Sequence, residues 1–242
     1  MAELYVVGLG PGGGDGMTLR ARQALQEAEV IVGYSVYLDL IRHELPGKEF
    51  LTTGMGREEE RCRMALESAC GGRVTALVCS GDAGVYGMAA PVLSLAPEYE
   101  GCRVEIIPGV TSALAAGALL GAPLGQDFCI ISLSDLLTPW ELIEKRLRAA
   151  AMGDFVIAIY NPCSHGRPDH LRRACGILLE SLPSDRVCGL VRNADRPDME
   201  VRICPLSELP MAGADMYSTV FVGNSFTRII QGWMVTPRRI KQ

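Results

Sequence analysis

Aromatic residues are sparse in this 242-residue chain, at 6%, and histidine is limited to His43, His165 and His170. No apolar run approaches the ~18 residues of a membrane span, so none is expected. The start, Met1-Ala-Glu-Leu-Tyr5, lacks the basic-then-apolar order of a secretion signal, and a cytoplasmic protein is expected. A basic surplus is missing too. The net charge is −5 and the pI near 5.3, which speaks against a general nucleic-acid binder. Nine cysteines are present, yet none forms a C-x-x-C pair and most lie in apolar runs. They read as small buried apolar residues, with no zinc site and no iron–sulfur cluster.

What is there is an ordinary globular composition, 48% hydrophobic and 21% charged. Strand-like and helix-like segments alternate, the order of an α/β protein. Glu3–Gly8 reads as a first strand, and Ala21, Ala24, Leu25 and Ala28 follow a helical period behind Thr18, a candidate N-cap. Strands are expected at Glu29–Gly33, Val74–Cys79 and Arg103–Ile107, with helices over Arg57–Cys70 and Ala113–Leu120. Gly121-Ala-Pro-Leu-Gly125 reads as a linker, since glycine stops a helix and proline prevents its resumption. Beyond it the alternation restarts. Strands are expected at Phe128–Ser132, Asp154–Tyr160, Val187–Val191, Met199–Cys204 and Ser218–Val222, and a helix at Leu171–Leu182. Thr138-Pro-Trp-Glu141 reads as a capping box with proline at the first helical position. Two consecutive α/β domains, 1–121 and 122–242, are expected, without a close repeat between them.

The most conspicuous local feature is Gly8-Leu-Gly-Pro-Gly-Gly13, which fits the G-x-G-x-x-G spacing of dinucleotide loops. A dinucleotide loop also needs a helix starting inside it and an acidic residue ending the second strand. Here the helix starts only at Thr18, Pro11 removes a backbone donor, and the second strand ends in Gly33-Tyr34. The spacing is better read with other strand ends: Ser80-Gly-Asp-Ala-Gly84, Pro108-Gly-Val-Thr-Ser112 and Tyr160-Asn-Pro162. Ligands bind at the carboxyl ends of strands in open α/β sheets, and glycine lets them approach bare backbone. One cleft shared by both domains is expected.

These pieces resemble the tetrapyrrole (corrin/porphyrin) methylase family. The resemblance spans nearly the whole chain and rests on Gly33–Leu38, Ser80–Ala89, Ile107–Ser112, Ile131–Trp140, Tyr160–Pro162, Val222–Arg228 and Thr236–Arg238. It implies two α/β domains with S-adenosylmethionine (SAM) in the cleft, a homodimer, and methylation of a precorrin macrocycle at C-17 with contraction of its ring. Implied cofactor contacts are Pro11, Gly81, Asp82, Ala83, Val85, Tyr86, Thr111, Ser112, Tyr160, Asn161, Asn193, Ala194, Val222 and Gly223. The loop Gly10, Pro11 and Gly12 would line the substrate side. Precorrin carboxylates require local cations, for which Arg167, Arg228 and Arg238 are candidates. Asp82 would meet the amino-acid end of SAM or act on the substrate, and proton transfers for ring contraction would fall to Ser132, Ser134, Asp135 and His165. His43 and His170 read as structural. One departure is Gln126, where the resemblance calls for histidine. A methyltransferase acting on another precorrin carbon and a non-catalytic tetrapyrrole carrier remain alternatives; a nicotinamide enzyme lacks its acidic ribose anchor.

Overall fold

The computed structural model describes residues 2–12 and 14–238, with only the backbone of Ala2 and Asp15. Gly13, the last glycine of the G-x-G-x-x-G spacing, lies outside the described residues. The chain divides into two compact units, Met1–Ser112 and Ala113–Gln242.

In the first unit β1 (Ala2–Gly8) leads to α1 (Leu19–Glu27), β2 (Val30–Tyr34), α2 (Ser35–Ile41) and β3 (Glu49–Thr53). Then come α3 (Glu58–Cys70), β4 (Thr75–Cys79), α4 (Ala89–Leu95) and β5 (Cys102–Ile107). The five strands form one parallel sheet in the order β3-β2-β4-β1-β5. Alternate residues of a strand face opposite sides. Leu4 and Val6 accordingly pack with Cys62, Leu66 and Val92 of α3 and α4, whereas Tyr5 and Val7 pack with Ala21, Leu25 and Leu38 of α1 and α2. Neighbouring β1 and β4 thus send their helices to opposite faces, the switch point at which open α/β sheets take ligands. The late helix start holds: Thr18 Oγ1 accepts from Ala21 N–H at 3.1 Å and donates to the Pro108 carbonyl at 3.1 Å.

The second unit opens with α5 (Ser112–Leu120), whose first residue closes the unit before it, and β6 (Gly121–Ala122). It continues through β7 (Phe128–Ser132), α6 (Trp140–Met152), β8 (Val156–Tyr160), α7 (His170–Leu179), β9 (Val187–Arg192), β10 (Glu200–Pro205), β11 (Ser218–Val222), β12 (Arg228–Ile230) and β13 (Trp233–Val235). A mixed sheet runs β10-β9-β11-β8-β7, with only β7 and β8 parallel. Helices α6 and α7 cover one face with Ile143, Leu147, Ala174 and Leu178. Helix α5 covers the other, placing Ala113, Ala116 and Leu120 against Val191, Phe221 and Met234. No described helix is long and apolar enough to cross a membrane.

Three local readings change. The linker is a built element: β6 pairs in parallel with β13, and Thr236 N–H donates to the Ala122 carbonyl at 3.0 Å. The division between units falls before α5 rather than after it, because the small apolar stripe of α5 packs onto the second sheet. The capping box does not form. Pro139 itself stands at the N-cap with extended backbone (φ −55°, ψ 141°), its carbonyl receives Leu142 N–H at 3.0 Å, and no side chain caps the helix.

Candidate active site

In the first unit, β1, β4 and β5 end side by side because all three are parallel neighbours. Their loops are laced backbone to backbone. Gly10 N–H donates to the Gly81 carbonyl at 3.0 Å, and Gly81 N–H returns a bond to Gly10 at 2.8 Å. The Asp82 carboxylate spans two loops, accepting from Gly84 N–H at 2.8 Å and from Gly109 N–H at 2.9 Å. A Cβ on Gly109 would stand 2.1 Å from the Gly81 carbonyl oxygen, and one on Gly8 2.6 Å from the same atom. At these two positions glycine serves the protein's own backbone, not an approaching ligand. Gly81 is different. It holds φ +67°, and an added Cβ there would meet nothing closer than 3.7 Å. Gly81 is itself buried, with its N–H and carbonyl both bonded to Gly10, so glycine there answers to the positive φ of the turn.

In the second unit the parallel pairing of β7 and β8 brings their carboxyl ends together. Ser132 Oγ accepts from the Asn161 side-chain amide at 2.9 Å and from Ser134 N–H at 3.2 Å. Asn161 takes a left-handed conformation, φ 52°. Past β8 the backbone of Ser164 and Arg167 closes a tight turn with His165 and Gly166 at its tip. Arg167 then reaches back. Its Nε donates to Ser164 Oγ at 3.2 Å and its Nη1 to Ser134 Oγ at 2.5 Å, 3.7 Å from Asp135 Oδ1. The other oxygen of Asp135 lies 3.0 Å from His170 Nε2, at ion-pair distance but off the axis of an aligned hydrogen bond. His170 opens α7, is buried, and sets its ring edge on Trp140 with centroids 4.9 Å apart. His170 first, then Arg167, holds the Asp135 carboxyl below the usual carboxylate range, so this group is an anion near neutral pH. The next two residues, Leu136 and Leu137, are 77% and 99% exposed.

Gln126 belongs to a separate clip. Its amide nitrogen donates to the Pro237 carbonyl at 2.6 Å, and its oxygen accepts from the Asn224 side chain at 3.2 Å. Asn224 is itself buried, and Thr227 and Thr236 close the clip, with their hydroxyls 2.7 Å apart. A residue at position 126 thus ties strand-end loops together through a side-chain donor, which glutamine supplies.

Of the anticipated residues, Ser132, Ser134, Asp135, Asn161 and Arg167 meet in one cluster; His165 is exposed on its turn. Arg228 and Arg238 are exposed and stand outside the hydrogen bonds of that cluster. Gly10, Pro11 and Gly12 are buried, Thr111 is nearly so, Val85 and Ser112 are half-buried, and Tyr86 is exposed at φ 53°. The Tyr160 hydroxyl accepts from Ala113 N–H at 2.7 Å and so tethers the start of α5. Asn193 (φ 50°) donates from its side chain to Asp198 at 2.8 Å, and Ala194 is buried. Ala83 and Val222 are wholly buried in their sheet cores, and Gly223 beside Val222 is packed against Thr227, 2.5 Å from where its Cβ would stand. Sequence reading missed His170 as a member of the cluster. Its one signal was the spacing, three residues beyond Arg167 and directly after Asp169, where a first helical turn begins.

The family described as Tetrapyrrole (Corrin/Porphyrin) Methylases matches residues 3–210. A probable cobalt-factor III C(17)-methyltransferase of Salmonella typhimurium is 48% identical over 236 residues, 97% of this chain and 98% of that protein. Among solved structures, the methyltransferase CobJ superposes with a TM-score of 0.91 at 40% identity, over 98% of this chain and 100% of that one. The uroporphyrin-III C-methyl transferase of Thermus thermophilus, solved in complex with S-adenyl homocysteine, gives 0.69 at 25% identity over 91% and 97%. With a family match across most of its length and a relative 48% identical over nearly the whole of both chains, this chain belongs to the tetrapyrrole (corrin/porphyrin) methylases.

Proposed function

We infer that this chain is a SAM-dependent C-methyltransferase. It methylates a precorrin macrocycle, precorrin-3B or its cobalt-bearing counterpart cobalt-factor III, at C-17, with contraction of the ring. The observation that carries the substrate class is the β7–β8 cluster. A half-buried guanidinium held by Ser134 and Ser164 stands beside a loop exposing Leu136 and Leu137. That pairing suits a planar apolar ring rimmed with carboxylates, since guanidinium binds carboxylate bidentately and leucine covers ring face. The relative from Salmonella, matched end to end, supports the same position of methylation.

The cofactor reading rests on the first unit. Gly81 holds the turn after β4 at φ +67°, bonded to Gly10 across the switch point, with half-buried Val85 and Ser112 and exposed Tyr86 on the loops around it. Asp82 has both carboxylate oxygens engaged by amides, so it shapes this cradle as a positioning residue. SAM supplies an electrophilic methyl group, and the protein's task is alignment, where proximity contributes most. Asn161 and Asn193, fixed at left-handed strand ends, are the second unit's polar candidates for ligand contact. For the proton transfers of ring contraction, Asp135 acts as an anion, accepting or stabilising positive charge, and Ser134 carries an adjacent hydroxyl. A homodimer, as the family resemblance implies, and a cytoplasmic location, as the unpaired apolar cysteines suggest, complete the proposal.

The test is direct. Purified protein with SAM and precorrin-3B or cobalt-factor III should give a product one methyl heavier with an altered visible spectrum. An unchanged macrocycle would refute this function, and a failure to bind SAM in equilibrium dialysis would refute the cofactor.

A further inference from the structure

The histidine that sequence patterning left among structural residues sits at the base of the β7–β8 cluster. His170 is 8% exposed, wedged on Trp140, while the carboxylate it faces belongs to an exposed loop. Its Nε2 has no partner among the described residues other than Asp135. A buried ring nitrogen left unpaired is costly, so the approach of Asp135 is favoured on both sides. Asp135 in turn faces Nη1 of Arg167, the same nitrogen that donates to Ser134. A guanidinium has five N–H donors in one plane. With Nε bonded to Ser164, Nη1 to Ser134 and Asp135 3.7 Å from Nη1, the plane is set, and among the described residues no hydrogen bond or ion pair engages Nη2, which remains for a ligand.

We propose that His170 is a positioning residue for substrate affinity. Acting through Asp135, it holds Arg167 and Ser134 as a preformed receptor for one peripheral carboxylate of the macrocycle. This rests on the reading of the chain as a precorrin methyltransferase. Preorganisation raises affinity by removing the cost of ordering the guanidinium on binding. The effect therefore falls on macrocycle binding rather than on methyl transfer or on SAM.

The experiment compares wild type with H170F, H170Q, R167A and H170F/R167A in steady-state methylation. Phenylalanine keeps the edge contact with Trp140 but removes the donor; glutamine restores a donor. H170F should raise KM for the macrocycle by about fivefold, the upper range for a lost, partly exposed ion pair. kcat and the KM for SAM should stay within about twofold, on the scale of uniform binding loss. H170Q should recover most of the macrocycle KM. Because His170 acts through Arg167, H170F should add little to R167A, the non-additivity expected of coupled residues. A wild-type macrocycle KM in H170F, a fall in kcat alone, or additive effects in the double variant would overturn the role of His170. Should H170F fail to fold, H170Q with R167A carries the test. H170Q then keeps a macrocycle KM near wild type, and a KM as high as that of R167A would overturn the donor role. A wild type that leaves the macrocycle unmethylated would instead overturn the functional reading itself.

Discussion

At the scale of single residues, the strand-end glycines divide by what they meet. Gly8 and Gly109 stand against other backbone, and neither neighbour is a flexible side chain that could yield. G109A should therefore destabilise the protein by at least about 2 kcal/mol, the cost of forced overpacking, and should also abolish SAM binding. Urea unfolding measures the first and titration calorimetry the second; wild-type values in both would refute the stacking account. Asp135 offers a pH test with a definite sign. Its folded carboxyl lies below the ordinary value of about 3.9, so its contribution to stability is present above that pH and fades as pH falls through the folded pKa. Exposure of about a third of the side chain, 34%, keeps the contribution modest. The difference in melting temperature between wild type and D135N should be constant from pH 5 to 7, on the plateau set by that carboxylate range, and shrink below about pH 4. A difference that grows on acidification would contradict the assignment. That Asp82 and Asp135 stand at strand ends was legible in the sequence. That one braces two glycine loops while the other pairs with a buried histidine was not, because the partners Gly109 and His170 lie far along the chain.

At the scale of elements, local signals read well where the element itself carries them. Helix α1 begins where Thr18 and the spacing of Ala21, Ala24 and Leu25 place it, with Ala21 N–H donating to the Thr18 hydroxyl. T18A should cost about 1 kcal/mol, the usual loss for an N-cap. Loss of the Thr18 bond to the Pro108 carbonyl should also loosen the β5 end, read as faster amide exchange at Gly109. A stability change under about 0.3 kcal/mol, within the range of neutral surface substitutions, would show that the cap does not matter. Elements with weak patterns escaped the sequence reading. Strand β3 has mostly part-exposed residues, α4 is only seven residues long, and the β12–β13 hairpin leaves Ile229, Ile230 and Trp233 exposed. None of them presents a long apolar period. Pro139 misled for a different reason. Threonine before proline suits a capping box, but the helix starts one residue later, and proline supplies the cap position with its carbonyl.

At the scale of the whole molecule, the assignment of α5 decides where the chain can be divided. Its stripe of Ala113, Ala116 and Leu120 buries Val191, Phe221 and Met234 of the second unit. A fragment of residues 113–242 should unfold cooperatively on heating, followed by circular dichroism. A fragment of residues 122–242, stripped of α5, should expose that apolar face and aggregate. Equal behaviour of the two fragments would contradict the division. The amino-acid sequence by itself determined the α/β alternation, the positions of nine strands, the late start of α1 and the clustering of glycine at strand ends. These follow from period, turn chemistry and capping, which act over a few residues. Only the tertiary structure decided which sheet α5 covers, why Gly8 and Gly109 lack side chains, and that His170 reaches Asp135. Those depend on which distant segments meet, and strand pairing and packing settle that only when the whole chain has folded.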